Sequence, residues 1–188
     1  MEQELILNTL NKKDIVDCLI YFTFFTGLRL GEVLALKWTD IKGIMLSVER
    51  QYGKRVKVLD VGKNKLTYEF RDLKTKNSKR EIPLPKKALA ILEGIPKQYE
   101  LIFSDEGNPI ERKRPQRRMI SLCKQLNIPH RSFHSIRHSY ATRLFELDTK
   151  IKTVQVLMGH SNIATTMDIY THVMGDEKLE VMSKLNRL

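Results

Sequence analysis

Gly43-Ile44-Met45-Leu46-Ser47-Val48 ends a helical pattern and begins an alternating one, and that change of period decides the fold class. Upstream, about Asn11 to Phe25 is densely apolar and lacks Gly and Pro, which predicts a helix ending at Gly27. A second, short helix is expected from Leu30, with Leu30, Val33, Leu34 and Leu36 at helical spacing and Trp38 packing just beyond. From Gly43 to Pro85 the alternation recurs in Val56-Lys57-Val58 and in Arg80-Glu81-Ile82-Pro83-Leu84, interrupted by Gly53, Gly62 and the Lys74–Lys79 stretch. One small antiparallel sheet is predicted there. After Pro85 the helical period returns: Ala88, Leu89, Leu92 and Ile95 mark one helix, and Met119 to Leu126 another that begins beyond Pro115. Phe133, Ile136, Tyr140, Leu144 and Leu147 form one stripe of a third. Short helices around Val154–Leu157 and Ala164–Tyr170 precede a last amphipathic one carrying Leu179, Met182, Leu185 and Leu188. The expected fold class is mainly α with a small antiparallel β-sheet, an α+β domain.

With 188 residues, of which 41% are hydrophobic and 29% charged, the chain can bury a core and fits one domain rather than a disordered segment. The longest apolar run, Ile15 to Leu28, is interrupted by Asp17 and Thr23 and falls short of the roughly 20 residues of a membrane span. It reads as a buried core helix. No signal-peptide pattern opens the sequence, and two cysteines, Cys18 and Cys123, make no disulfide framework, so a reducing cytoplasm is the expected setting. Lys+Arg 33 against Asp+Glu 22 gives a net charge of +11, which favours a polyanion as partner. Two runs concentrate the charge: Lys74, Lys76, Lys79 and Arg80, then Arg112, Lys113, Arg114, Arg117 and Arg118.

Several residues can carry chemistry. His134 and Arg137 share a helix face at i, i+3 spacing, and an imidazole beside a guanidinium suits a phosphodiester. In isolation such a pair is more often a terminal His and a solvated Arg. Arg29 lies between two apolar helices in Thr26-Gly27-Leu28-Arg29-Leu30-Gly31-Glu32, where a charge needs a partner that Glu32 can supply. That pair is either purely structural or a phosphate clamp. His160 follows Gly159, which should end one helix, while Ser161 or Asn162 can cap the next, on which Tyr170 lies. His134, His138, His160 and His172 lack the spacing of a metal site, and no metal is expected.

Together these pieces resemble the catalytic domain of the tyrosine recombinases, the integrase family of phages and conjugative transposons. The resemblance spans almost the whole chain. Its motifs are Thr26-Gly27-Leu28-Arg29-x-x-Glu32 with Leu36-x-Trp38-x-Asp40-Ile41, Lys74-Thr75-Lys76 ahead of Arg80-x-Ile82-Pro83-Leu84, His134-x-x-Arg137-His138-x-x-Ala141-Thr142, Gly159-His160-Ser161, and Tyr170-Thr171-His172. It implies that Tyr170 is a nucleophile that joins a DNA 3′-phosphate while a 5′-hydroxyl departs. Arg29 and Arg137 would bind the non-bridging oxygens, and Lys74, with Lys76 in reserve, would protonate the leaving oxygen. His134 would exchange a proton with the tyrosine, His160 would hydrogen-bond the phosphate, and Glu32 would orient Arg29. No cofactor is implied, neither metal nor ATP. Lys76, Lys79, Arg80, Arg112, Lys113, Arg114, Arg117 and Arg118 would grip the backbone of double-stranded DNA.

By the same resemblance, residues 1–188 are a catalytic domain without the core-binding and arm-binding domains that usually precede it. The reaction would be integration or excision of mobile DNA, in a tetramer on DNA whose C-terminal helix contacts a neighbouring protomer. Accessory DNA-bending or directionality proteins would assist, at the bacterial nucleoid. Two other readings stay open: a non-catalytic DNA-binding module on the same basic surface, and a type IB topoisomerase-like enzyme that relaxes supercoils.

Overall fold

The computed structural model describes residues 2–60, 63–73 and 78–173. Helix α1 (Glu2–Thr9) leads through a turn into α2 (Ile15–Thr26), where a single helix from Asn11 was expected. The Asp14 carboxylate accepts the backbone N–H groups of Val16 at 2.8 Å and Asp17 at 3.0 Å, so it caps α2 and fixes its start four residues later than periodicity suggested. Gly27 closes the helix in the left-handed region (φ 62°), its N–H bonded to the Thr23 carbonyl. A Cβ there would also lie 2.2 Å from the Tyr140 ring, so glycine is required twice over.

Helix α2 is the central rod. Leu19, Ile20 and Phe22 are fully buried in one core cluster with Phe103, Met119, Leu122 and Ile136, and the Phe22 and Phe103 rings meet at 5.4 Å. Around it pack α4 (Lys86–Glu93), α5 (Lys113–Gln125) and α6 (Phe133–Glu146), while α3 (Leu30–Val33) follows at its end. Pro115 lies inside the first turn of α5, not before it, because a proline there forfeits no helical hydrogen bond. The buried stripe of α6 is Phe133, Ile136, Ala141 and Phe145; Leu147, expected on that stripe, is 69% exposed just past the helix.

Between α3 and α4 the chain forms two sheets where one was predicted. Strands β1 (Ile41–Lys42), β2 (Met45–Val48) and β5 (Arg80–Pro83) are antiparallel with β2 central, pairing Leu46 with Ile82 and Val48 with Arg80. Leu46 and Ile82, both fully buried, face the core. Val56-Lys57-Val58 belongs elsewhere, in a long hairpin of β3 (Arg50–Asp60) and β4 (Lys63–Asp72). A further two-residue hairpin, β6 (Ser104–Asp105) with β7 (Asn108–Pro109), turns through positive φ at Glu106 and Gly107.

Helices α7 (Ile151–Met158) and α8 (Ala164–Val173) complete the described fold. With α6 they build a smaller core of Ala141, Phe145, Val154 and Met158, on which Tyr140, Ile169 and Tyr170 pack. No helix among the described residues is long and apolar enough to cross a membrane. Lys74, Lys76 and the stripe of Leu179, Met182, Leu185 and Leu188 lie outside the described residues.

Candidate active site

Arginines far apart in sequence meet at the C-terminal end of α7. Three successive carbonyls there each accept from a different guanidinium: Leu157 from Arg80 Nε at 2.9 Å, Met158 from Arg137 Nη2, and Gly159 from Arg29 Nη2 at 3.0 Å. The last carbonyls of a helix have no helical partner and carry its negative dipole end, so cations suit them. Gly159 permits the turn with φ 61°, and a Cβ on it would lie 2.8 Å from Arg80 Nη1. Replacing Gly159 by alanine is therefore expected to destabilise the fold by about 2 kcal/mol or more, through left-handed strain and displacement of a fixed guanidinium. Urea unfolding measures it; a change below about 0.5 kcal/mol would contradict this account.

Glu32, fully buried on α3, is the common anion. Its carboxylate accepts the Arg29 backbone N–H at 2.9 Å, Arg29 Nη1 at 2.8 Å, and the Arg80 fork at 3.1 and 2.9 Å. Burial disfavours its charge, but hydrogen bonds and attraction from Arg80, then Arg29, outweigh burial and hold the carboxyl down to about 2. Arg80 is thus buried (its side chain 3% exposed) and does not join a DNA-facing surface with Lys79 as the basic run suggested. Its position opposite Val48 on the inner edge of the sheet turns it inward.

Arg137, which by spacing shares a helix face with His134, is 3% exposed and donates from Nη1 to the Gly27 carbonyl at 2.7 Å. Burial and the neighbouring Arg29 charge pull its pKa down to about 9, which leaves it cationic at neutral pH. Arg29, Arg137, His134 and His160 line one pocket of about 200 Å³ with His138, Ser161 and Thr165. Burial, then the Arg137 and Arg29 charges, lowers His160 to about 4, and His134 is lowered by burial together with His138, Arg137 and Arg29. His160 Nδ1 lies 3.0 Å from the hydroxyl of fully buried Thr166, and Asn162 caps α8 through its Oδ1 to the Ala164 N–H at 2.9 Å. No group of three His, Cys, Asp or Glu able to hold a metal occurs among the described residues.

Tyr170 does not line this pocket. Ile169 does, while the Tyr170 ring packs edge-on against Phe145 at 5.2 Å. A larger open cavity of about 520 Å³ shares Arg29, His134 and Arg137 with the small one and continues past Lys54, Arg71, Arg112 and Gln116. Arg71 has no particular sequence signal, because it sits in a strand whose pairing is visible only in three dimensions. The role of Thr166 was also missed; its signal is a Thr six residues after His160.

The 112–118 run is mostly engaged with protein. Arg112 bonds to the Tyr52 carbonyl, Arg114 to Asp105, and Arg117 to Glu111, while Lys113 is exposed. Arg118 donates to both oxygens of buried Asp17 at 2.6 and 2.7 Å, tying α5 to α2. Arg118→Ala is expected to cost about 3 kcal/mol, because it strands a buried carboxylate. Chemical denaturation tests this, and an unchanged midpoint would return Arg118 to the solvated surface.

A tyrosine recombinase XerC-like protein of Caldanaerobacter subterraneus subsp. tengcongensis is 36% identical over 90% of this chain and 49% of its own length. The ICEBs1 integrase of Bacillus subtilis is 30% identical over 92% of this chain and 50% of its own. The chain thus spans about half the length of these curated relatives. The structure of the Tn1549 transposon integrase in complex with transposon right end DNA superposes with a TM-score of 0.77 at 23% identity, covering 98% of this chain and 64% of that one. The phage integrase family model matches residues 2–177. On that match, and on the shared architecture, the chain belongs to the phage integrase family of tyrosine recombinases.

Proposed function

We propose that this chain is the catalytic domain of a site-specific recombinase that cleaves and rejoins double-stranded DNA through a 3′-phosphotyrosyl intermediate. The observation that carries the proposal is the convergence of Arg29, Arg137, His134 and His160 on one pocket the size of a phosphate group and its neighbours. Each arginine has five N–H donors. Arg29 commits two, to Glu32 and Gly159, and Arg137 commits two, to Gly27 and Met158, so both are fixed by protein acceptors with donors remaining for non-bridging oxygens. Those contacts strengthen as negative charge builds on the pentavalent phosphorus.

Tyr170 Oη forms the new P–O bond, the P–O5′ bond breaks, and the 3′-phosphate remains on the protein. The phenolic proton passes to His134, whose lowered pKa leaves it neutral and able to accept at neutral pH. The departing 5′-oxygen takes a proton from Lys74, with Lys76 the alternative, a role that rests on family resemblance. His160, its Nδ1 engaged by Thr166, offers Nε2 to a phosphate oxygen. Because the covalent phosphotyrosine conserves the broken ester, attack by a new 5′-hydroxyl reseals the strand with no nucleotide hydrolysis. Lys76, Lys79, Arg112, Lys113, the partly exposed Arg114 and the exposed Arg117 are the backbone contacts this reading retains.

Integration and excision of mobile DNA follow if protomers assemble as a tetramer, with accessory bending or directionality proteins, on DNA in the bacterial cytoplasm. The cleavage step is tested by incubating the chain with a pool of nicked duplexes randomised around the nick. A denaturant-resistant adduct is expected, with the DNA-linked peptide mapping to Tyr170; sequencing the trapped DNA gives the site. Salt-dependent binding with no adduct would point to a binding module, and relaxation of supercoiled plasmid by a monomer to a topoisomerase.

A further inference from the structure

Arg80 has the most enclosed guanidinium among the ion-paired arginines of the described residues, its side chain 3% exposed. Its three nitrogens are all engaged: Nε to the Leu157 carbonyl at 2.9 Å, Nη1 and Nη2 to the two oxygens of Glu32 at 3.1 and 2.9 Å. It therefore joins β5 to α3 and to the end of α7, the two elements that carry Arg29 and the Gly159-His160 turn. We propose that Arg80 is a positioning residue that holds Arg29 and His160 in the phosphate-accepting arrangement, acting through Glu32 and the Leu157 carbonyl.

The case is geometric. Glu32 receives two hydrogen bonds on each oxygen, one from the Arg29 side and one from Arg80. Arg80 thereby fixes the plane of the carboxylate from behind, so that Arg29 meets an immobile acceptor and keeps one orientation. Without Arg80, the carboxylate is held by Arg29 alone and the two move together. On its other side, Arg80 fills the space beneath Gly159, where even a methyl group would touch Nη1, Cδ and Cζ at 2.8 to 3.0 Å. The turn that precedes His160 is thus seated on the guanidinium. A lysine keeps the charge but cannot span both Glu32 oxygens and the Leu157 carbonyl, since the fork is what matches them.

The test is a double-mutant cycle with Arg80→Gln, Glu32→Gln and the pair, plus Arg80→Lys as a milder variant should Arg80→Gln fail to fold; thermal unfolding of each reports folding. Inorganic phosphate is titrated into each protein and followed by the imidazole NMR signals of His134 and His160, a readout that requires no DNA cleavage. Arg80→Gln and Arg80→Lys should each weaken phosphate binding about 10-fold or more, the range typical of groups that orient direct ligands. Added to Glu32→Gln, Arg80→Gln should cost only about 3-fold, less than its effect in the wild-type protein, because the route through Glu32 is already cut and only that through the Leu157 carbonyl remains. Wild-type phosphate affinity in folded Arg80→Lys, or losses that multiply in full in the double variant, would overturn the proposal. The inference rests on the strand-transfer reading for its consequence, a slower single-turnover adduct with DNA affinity unchanged. Coupled phosphate binding without any wild-type adduct would leave Arg80 in its positioning role and remove the strand-transfer reading instead.

Discussion

Tyr170→Phe abolishes the covalent protein–DNA adduct, by at least about 10³-fold, while leaving the fold and non-covalent DNA binding intact. The substitution removes one oxygen and keeps the ring. That ring contributes to the smaller core by an edge contact with Phe145 at 5.2 Å, an interaction phenylalanine makes equally well. Thermal unfolding of the variant, measured alongside, separates loss of chemistry from loss of fold. Ile169 and not Tyr170 lines the arginine pocket, so a shift or turn of α8 on DNA binding is the expected route by which the phenol meets phosphorus. Successive helical residues point about 100° apart, which sets the size of the turn required. Adduct of wild-type yield in the Tyr170→Phe protein would dismiss Tyr170 as nucleophile.

Arg137→Ala is expected to lower cleavage by about 10³-fold, with non-covalent DNA affinity changed by less than about tenfold. Two costs combine. The transition state loses a cation whose contacts matter most when phosphorus is pentavalent, and the Gly27 and Met158 carbonyls lose their buried donor. The second cost is about 1–3 kcal/mol for each orphaned carbonyl, so unfolding by urea should also show a lower midpoint. Arg137→Lys separates the two effects: it retains charge in the pocket, yet one ammonium cannot bridge both carbonyls and still present a planar pair of donors to phosphate. Cleavage within about tenfold of wild type in Arg137→Ala would exclude it from transition-state binding.

The parts of this site that were legible in sequence are those set by local geometry. Gly27 and Gly159 announce helix ends because left-handed backbone suits glycine, and Arg29 with Glu32 pairs across one helical turn. The reach of Glu32 to a second arginine, 48 residues later, has no local signature. Arg80 follows a basic run and reads as surface charge until strand pairing turns it inward. Arg118 is similar, since its partner Asp17 lies 101 residues away. The long β3–β4 hairpin was read as a fragment around Val56 because its apolar residues are sparse; Arg50 pairing with Asp72 is set by backbone register and not by a buried face. Pro115 shows the converse, a residue taken as a boundary that is harmless in the first turn of a helix.

Three guanidinium groups rest on three consecutive carbonyls of one helix end, so α7 acts as a measuring rod. Inserting one residue within it would advance its last turn by about 1.5 Å and swing it about 100°, and every arginine would lose its acceptor together. The length of Ile151–Met158 is therefore fixed by the chemistry it indexes. The Asp105–Asn108 tip touches none of those acceptors, so an insertion there is expected to leave the arginine contacts in place.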